Sequence, residues 1–288
     1  GGVLAYFVSG RALKPLRTFA SRVENVQPNN LPDMKITDDV PAEFKQFSTS
    51  FNQMLDRLNE GFTAQRQFTG NAAHELRTPL ALLQAQIELF SVEHPDLDAE
   101  SADFLKLLQE QTERMSQVTK TLLEMSELRT VPCNDSIELA PMIEEILADL
   151  SPVAEKKGVT LECDGNGTMV GSDTLIYRLI FNLTENAIRY NRPDGKVRVS
   201  VSQEDNNLVL RVADTGCGIP DKYKESIFQP FFRVDKSRSR ENGGVGLGLS
   251  LVWEIADIHG GKVQAEESTE NGTVMAVTFP LNKENKDN

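Results

Sequence analysis

Leu208-Val209-Leu210-Arg211-Val212-Ala213-Asp214-Thr215-Gly216-Cys217-Gly218-Ile219-Pro220 is the stretch on which the fold of this 288-residue chain turns. Its first residues alternate with the period of two that marks a half-buried strand, and the run ends on a carboxylate and a Gly-x-Gly turn. A carboxylate at a strand end can accept a hydrogen bond from an exocyclic amine, and the glycines let the backbone pass close to a flat ring. Alone, an Asp-Gly turn is an ordinary loop. Period-two segments recur at 197–201 and 273–277, with helical stretches near 141–156, 174–190 and 246–259. From residue 131 to 282 the sequence therefore predicts an α/β (α+β) sandwich.

Just upstream lies Asn182-Leu183-Thr184-Glu185-Asn186-Ala187-Ile188-Arg189-Tyr190. Asn182 and Asn186 are one helical turn apart and share a face. Such asparagines commonly fill polar gaps, yet neutral amide oxygens also suit Mg²⁺ beside phosphate and water. Downstream, Ile227-Phe228-Gln229-Pro230-Phe231-Phe232-Arg233-Val234-Asp235 leads into the basic run from Lys236 to Arg240. Then Gly243-Gly244-Val245-Gly246-Leu247-Gly248-Leu249-Ser250 opens a helix, presenting backbone amides and the positive end of the dipole, which suits phosphate.

Further out, the first 130 residues read as helix. Narrow apolar stripes run through Leu13, Leu16, Ala20, Val23 and Val26, then Phe44, Phe47, Phe51, Leu55, Leu58 and Phe62. A helix from about 62 to 91 and another from about 99 to 129 follow, broken by His94-Pro95-Asp96-Leu97-Asp98. Each would leave one apolar face in a helical hairpin, so two copies of the chain should form a four-helix bundle. Residues 1–10 are a short apolar run followed by Arg11, Lys14 and Arg17. A span needs about 20 apolar residues, so this is either a buried helix start or the end of a membrane helix with its cytoplasmic flank. The tail 283–288 is polar and expected to be disordered.

His74 sits in His74-Glu75-Leu76-Arg77-Thr78-Pro79, one of three histidines in the chain. It is two residues from the stripe residue Leu76, about 200° round the helix, and should face solvent with Thr78. Pro79 removes a helical bond and crowds the carbonyl of Glu75. The stripe continues beyond it, which predicts a kink rather than a stop. The net charge of −13 argues against a nucleic-acid partner. Cys133, Cys163 and Cys217 are far apart and predict neither a disulfide framework nor a zinc site.

The six-residue box around His74 resembles the phosphoacceptor box of HisKA-class sensor histidine kinases. The asparagine helix, the Asp214 turn, the Phe231-Phe232 segment and the second glycine turn resemble the four boxes of the Bergerat ATP fold. Residues 11–62 resemble the HAMP signal relay. The resemblance implies domains at 1–10 (truncated membrane helix), 11–62 (relay), 63–130 (dimerisation and phosphotransfer), 131–282 (ATP binding) and 283–288 (tail). It implies a membrane-bound homodimer, its kinase part cytoplasmic, that uses ATP and Mg²⁺ to phosphorylate His74 and then the receiver domain of a response regulator.

By the same resemblance Glu75 handles the imidazole proton, and Thr78 positions water when the regulator is dephosphorylated. Asn186 and Asn182 hold the metal, Arg189 meets phosphate, Tyr190 packs near the base and Asp214 reads the adenine amine beside Gly216, Gly218 and Ile219. Arg233, Lys236 and a lid at 235–244 close over the phosphates, with Gly244, Gly246, Leu247, Gly248 and Leu249 supplying backbone. Val245 stands where many relatives carry Thr or Ser. Related ATPases place a water-activating Glu where this chain has Asn182, so transfer to a protein nucleophile is favoured over hydrolysis. A non-catalytic relay and a mainly phosphatase sensor are the competing readings.

Overall fold

The structure is a computed structural model that describes residues 31, 34–36, 44–234 and 245–281. The first predicted helix, the apolar run at 1–10, the segment 235–244 with Lys236 and Gly244, and the tail 283–288 lie outside the described residues. The chain divides into two compact units, Gly1–Asn71 and Ala72–Asn288.

Helix α1, Lys45–Glu93, is one uninterrupted helix rather than the two expected to meet near Phe62. A lone glycine costs a helix only about 1 kcal/mol, and Gly61 has no proline beside it to add to that. In the first unit Leu31, Phe51 and Leu55 are buried together, with Met34, Ile36 and Phe62 against them. Asn52 binds the connector like a strand neighbour: its Oδ1 accepts from Ile36 N at 2.9 Å and its Nδ2 donates to Ile36 O at 2.9 Å.

The second unit opens with the rest of α1, which runs on through Pro79. Helix α2, Ala99–Glu127, starts where the Asp98 carboxylate accepts the Ser101 N–H and ends in a 3₁₀ turn, Leu128–Thr130. Then come β1 (Asp135–Glu138), α3 (Leu139–Lys157), β2 (Thr160–Asp164), β3 (Thr168–Gly171), α4 (Asp173–Arg189), β4 (Lys196–Glu204), β5 (Asn207–Asp214), α5 (Gly248–Ile258), β6 (Lys262–Thr269) and β7 (Gly272–Pro280).

Strands β2-β4-β5-β7-β6 form one sheet, parallel only at β2–β4, while β1 and β3 make a separate antiparallel pair. The three predicted strands are the three central ones. Edge strands β2 and β6 escaped prediction because they bury little: β2 reads Thr-Leu-Glu-Cys-Asp with only Leu161 shielded. Val197, Val199 and Val201 of β4 and Leu208, Leu210 and Val212 of β5 join α3, α4 and α5 in one core, in which Ile176, Leu179, Ile180, Val252 and Ile255 are completely enclosed. The opposite face is polar, with Arg211 bridging Glu204 and Glu266 at 2.5 and 2.7 Å.

Candidate functional site

Burial of Leu175, Ile176, Leu179, Ile180, Leu183 and Ile188 fixes how α4 is turned, and so places Asn182 and Asn186 on its flank. Asn182 Nδ2 donates to Arg178 O at 2.8 Å, which leaves its Oδ1 as an acceptor. That oxygen faces the first residue of α5: a Cβ built on Gly248 would lie 3.1 Å from Asn182 Oδ1 and 3.5 Å from Asn186 Nδ2. The N-terminus of α5, with its amides and positive dipole end, is thus brought against the asparagine pair. Leu247 is buried and Leu249 packs on the core, so at these two positions it is the backbone that can face a ligand.

At the other end of the site β5 delivers Asp214. Its carboxylate accepts the Gly216 N–H at 2.7 Å and the Thr273 N–H at 3.3 Å. Burial pushes its pKa up, and these two hydrogen bonds oppose the shift. Gly218 has φ +70°, and a Cβ there would meet Thr269 O at 1.9 Å, so the turn passes where only glycine fits. Ile219 N donates to Ser268 Oγ at 2.6 Å, tying the turn to β6. Tyr190 O accepts the Cys217 N–H at 3.3 Å, while the half-exposed Tyr190 ring lines a cleft of about 250 Å³ with Asn191, Arg192, Gly216, Cys217 and Glu270.

Phe231 N donates to Gly246 O at 2.9 Å, joining the Phe231-Phe232 segment to the turn before α5. Beside it, Arg233 buries its Nε and Nη2 with no hydrogen-bond partner among the described residues. A cation in that condition calls for an anion. Arg189 Nη2 contacts Glu185 Oε1 at 2.7 Å, one turn back on α4. No cluster of three or more His, Cys, Asp and Glu suited to a metal occurs among the described residues. The donor set that remains is Asn182 Oδ1 with Asn186, neutral oxygen-bearing groups that fit Mg²⁺ completed by phosphate and water.

Asn191 was not singled out from sequence, where it is one asparagine beside a proline turn. Its Nδ2 donates to Lys196 O at 2.9 Å, and its Oδ1 accepts from Arg192 N and from Thr215 Oγ1, both at 3.0 Å. It therefore splices the end of α4 to the start of β4 and to the Asp214 turn. On α1, His74 is exposed as expected, together with Glu75 and Thr78. Its Nε2 lies 3.9 Å from Glu127 Oε1, a neighbour that the sequence did not reveal.

Residues 64–130 match the family model described as His Kinase A (phospho-acceptor) domain, and 171–283 match Histidine kinase-, DNA gyrase B-, and HSP90-like ATPase. Sensor protein CutS of Streptomyces coelicolor is 33% identical over 279 residues, 96% of this chain and 67% of that protein. The Signal transduction histidine-protein kinase ArlS of Staphylococcus aureus is 28% identical over 286 residues, 96% of this chain and 62% of its own length. Full-length ShkA in complex with AMPPNP shares the fold at TM-score 0.61 and 21% identity, over 75% of this chain and 46% of its own. The Acinetobacter baumannii histidine kinase AdeS does so at TM-score 0.54 and 23% identity, over 73% and 98%.

Proposed function

This chain belongs to the sensor histidine kinases and binds ATP, and from that premise we propose that His74 is the acceptor of the ATP γ-phosphoryl group. The observation that carries this reading is the meeting of Asn182, Asn186 and the N-terminus of α5, brought together from distant parts of the chain. A triphosphate lying there would have amide donors and a helix dipole on one side and amide oxygens on the other. Asn186 and Asn182 would hold Mg²⁺, which supplies charge neutralisation. Arg233 would bind phosphate through its two buried nitrogens. Asp214 would accept the adenine amine, the Tyr190 ring would cover the base, and the segment 235–244 would close over the phosphates. Phosphoryl transfer needs positioning and charge neutralisation more than covalent work by the protein.

In the transfer itself a lone pair of the His74 imidazole forms the bond to the γ-phosphorus. The bond from that phosphorus to the β–γ bridging oxygen breaks, and ADP leaves with the electron pair. The proton on the other ring nitrogen passes to Glu75 or to water. A carboxylate oxygen of an aspartate on a response regulator then displaces the imidazole from phosphorus. In the phosphatase activity, water attacks the phosphorus of the regulator's aspartyl phosphate, the aspartate carboxylate leaves and phosphate is released; Thr78 would position that water.

The exposed apolar residues Leu76, Leu83, Phe90, Phe104, Leu108 and Met115 line the hairpin of α1 and α2. A second copy of the chain would cover them in a four-helix bundle. We place the domains at 11–62 (signal relay), 63–130 (dimerisation and phosphotransfer) and 131–282 (ATP binding), with 1–10 leading to a membrane anchor. No helix of the described residues is long and apolar enough to cross a membrane.

The test is incubation of the purified chain with γ-labelled ATP and Mg²⁺. Acid-labile label on the wild type, absent from His74→Gln and Asn186→Asp, is the expected result. Label that persists in His74→Gln would move the acceptor elsewhere.

A further inference from the structure

Resting on the assignment of His74 as acceptor, we propose that Glu127 is a positioning residue that guards the His74 imidazole, and that Arg129 latches this guard to the ATP-binding layer. The 3₁₀ turn after α2 brings the two together. Successive side chains in a 3₁₀ turn point about 120° apart, so three neighbouring residues can face three different bodies. Glu127, immediately before the turn, sets its Oε1 3.9 Å from His74 Nε2. Leu128 is buried in the core of the sandwich. Arg129 reaches α5, its Nε 3.1 Å from Glu254 Oε1 and its Nη2 2.9 Å from Asp257 Oδ2. One turn back, Glu124 pairs with Arg178 of α4 at 3.3 Å. The C-terminal end of α2 is thus tied to the ATP-binding layer at three successive points, on α4, in the core and on α5.

Nε2 is the ring nitrogen farther from the backbone, and so the one a bulky phosphoryl donor can reach. To attack, it must present a lone pair. A carboxylate facing Nε2 favours the tautomer with the proton there, which is the wrong one for attack. The same negative charge opposes the approach of the γ-phosphoryl group of an already bound nucleotide to the ring. Both effects slow transfer and neither acts on nucleotide binding. The arrangement is therefore a resting state: while Arg129 holds the turn on α5, the Glu127 carboxylate stands beside the exposed His74 ring on its Nε2 side. A movement that breaks the Arg129 contacts would withdraw the guard as it frees the ATP-binding layer.

The experiment compares the full chain with Glu127→Gln, Glu127→Asp and Arg129→Gln. It measures initial rates of His74 labelling against ATP concentration, and the His74 tautomer by ¹⁵N NMR without nucleotide. Removing a unit charge about 4 Å away in water-like surroundings is a factor of about five. Glu127→Gln should raise kcat about fivefold, leave KM for ATP unchanged and lower the Nε2–H fraction. Glu127→Asp keeps the charge and should stay near the wild-type rate. Arg129→Gln should also raise kcat, and the double variant with Glu127→Gln should fall short of the product of the two increases. An unchanged or lower kcat in Glu127→Gln overturns the proposal, as does a gain confined to KM or an unmoved tautomer. If the wild type leaves His74 unlabelled, the acceptor assignment fails instead, and the tautomer measurement still decides whether Glu127 acts on the ring.

Discussion

Replacing Asp214 by Asn should weaken ATP binding and stabilise the empty protein in the same stroke. The carboxylate is pinned by the Gly216 and Thr273 N–H groups, and both bonds use Oδ1. An Asn Oδ1 can keep them, so the turn should hold its shape. What changes is the other position, where an ionised acceptor becomes an NH₂ donor facing the adenine amine. A hydrogen bond to a charged group is worth about 1.5–3 kcal/mol, so Kd should rise by about tenfold to about 150-fold.

The stability effect follows from the direction of the pKa shift. Burial raises the Asp214 pKa in the folded state. Its contribution to stability is therefore fully present below the unfolded-state pKa and is lost as pH rises through the folded one. Asn carries no such dependence. Its advantage should be absent at low pH and complete at neutral pH. Isothermal titration with ATP and urea midpoints at both pH values read the two halves separately. Undiminished affinity would refute the adenine role. A variant that is no more stable than wild type at neutral pH would refute the burial argument.

Arg233→Ala should lower the rate of His74 labelling by at least about tenfold, since each charge-assisted hydrogen bond is worth about 1.5–3 kcal/mol. Its melting temperature should hardly move, because the two buried nitrogens have no partner among the described residues to lose. A melting temperature that falls along with activity would mark Arg233 as a structural residue. His259→Ala should instead destabilise the ATP-binding sandwich by roughly 3–5 kcal/mol, a lost buried hydrogen bond plus a cavity. The buried ring accepts the Ser172 N–H on Nε2 at 3.0 Å, and its Nδ1 lies 2.8 Å from Ile255 O. A urea midpoint within experimental error of wild type would contradict that accounting.

The parts of the site that were legible in the sequence are those whose chemistry is carried by residue type at short spacing. Asn182 and Asn186 lie one turn apart, Asp214 stands at a strand end, and the Gly246–Gly248 turn opens a helix. Local periodicity alone is enough to place each on its element. The central strands were equally legible because they alternate buried and exposed side chains. Edge strand β2 was not, since a strand with so little burial carries almost no pattern; β6 alternates but fully buries none of its side chains, and β1 and β3 are only four residues each. The break expected near Phe62 did not occur, because the lone Gly61 does not by itself end a helix.

Sequence by itself determined the chemistry on offer: an exposed histidine on a stripe helix, amide oxygens for a cation, glycine turns for phosphate and a carboxylate for an amine. Tertiary structure alone decided which of these meet. The order β2-β4-β5-β7-β6 puts Thr273 and Ser268 against the Asp214 turn, and the packing of α5 on α4 brings Gly248 to Asn182. It also sets Asn191 as a splice and lays Glu127 against His74. These are contacts through space whose partners are chosen by sheet order, by the burial that turns each helix, and by where a chain folds back. Nothing in the local spacing of residues records them.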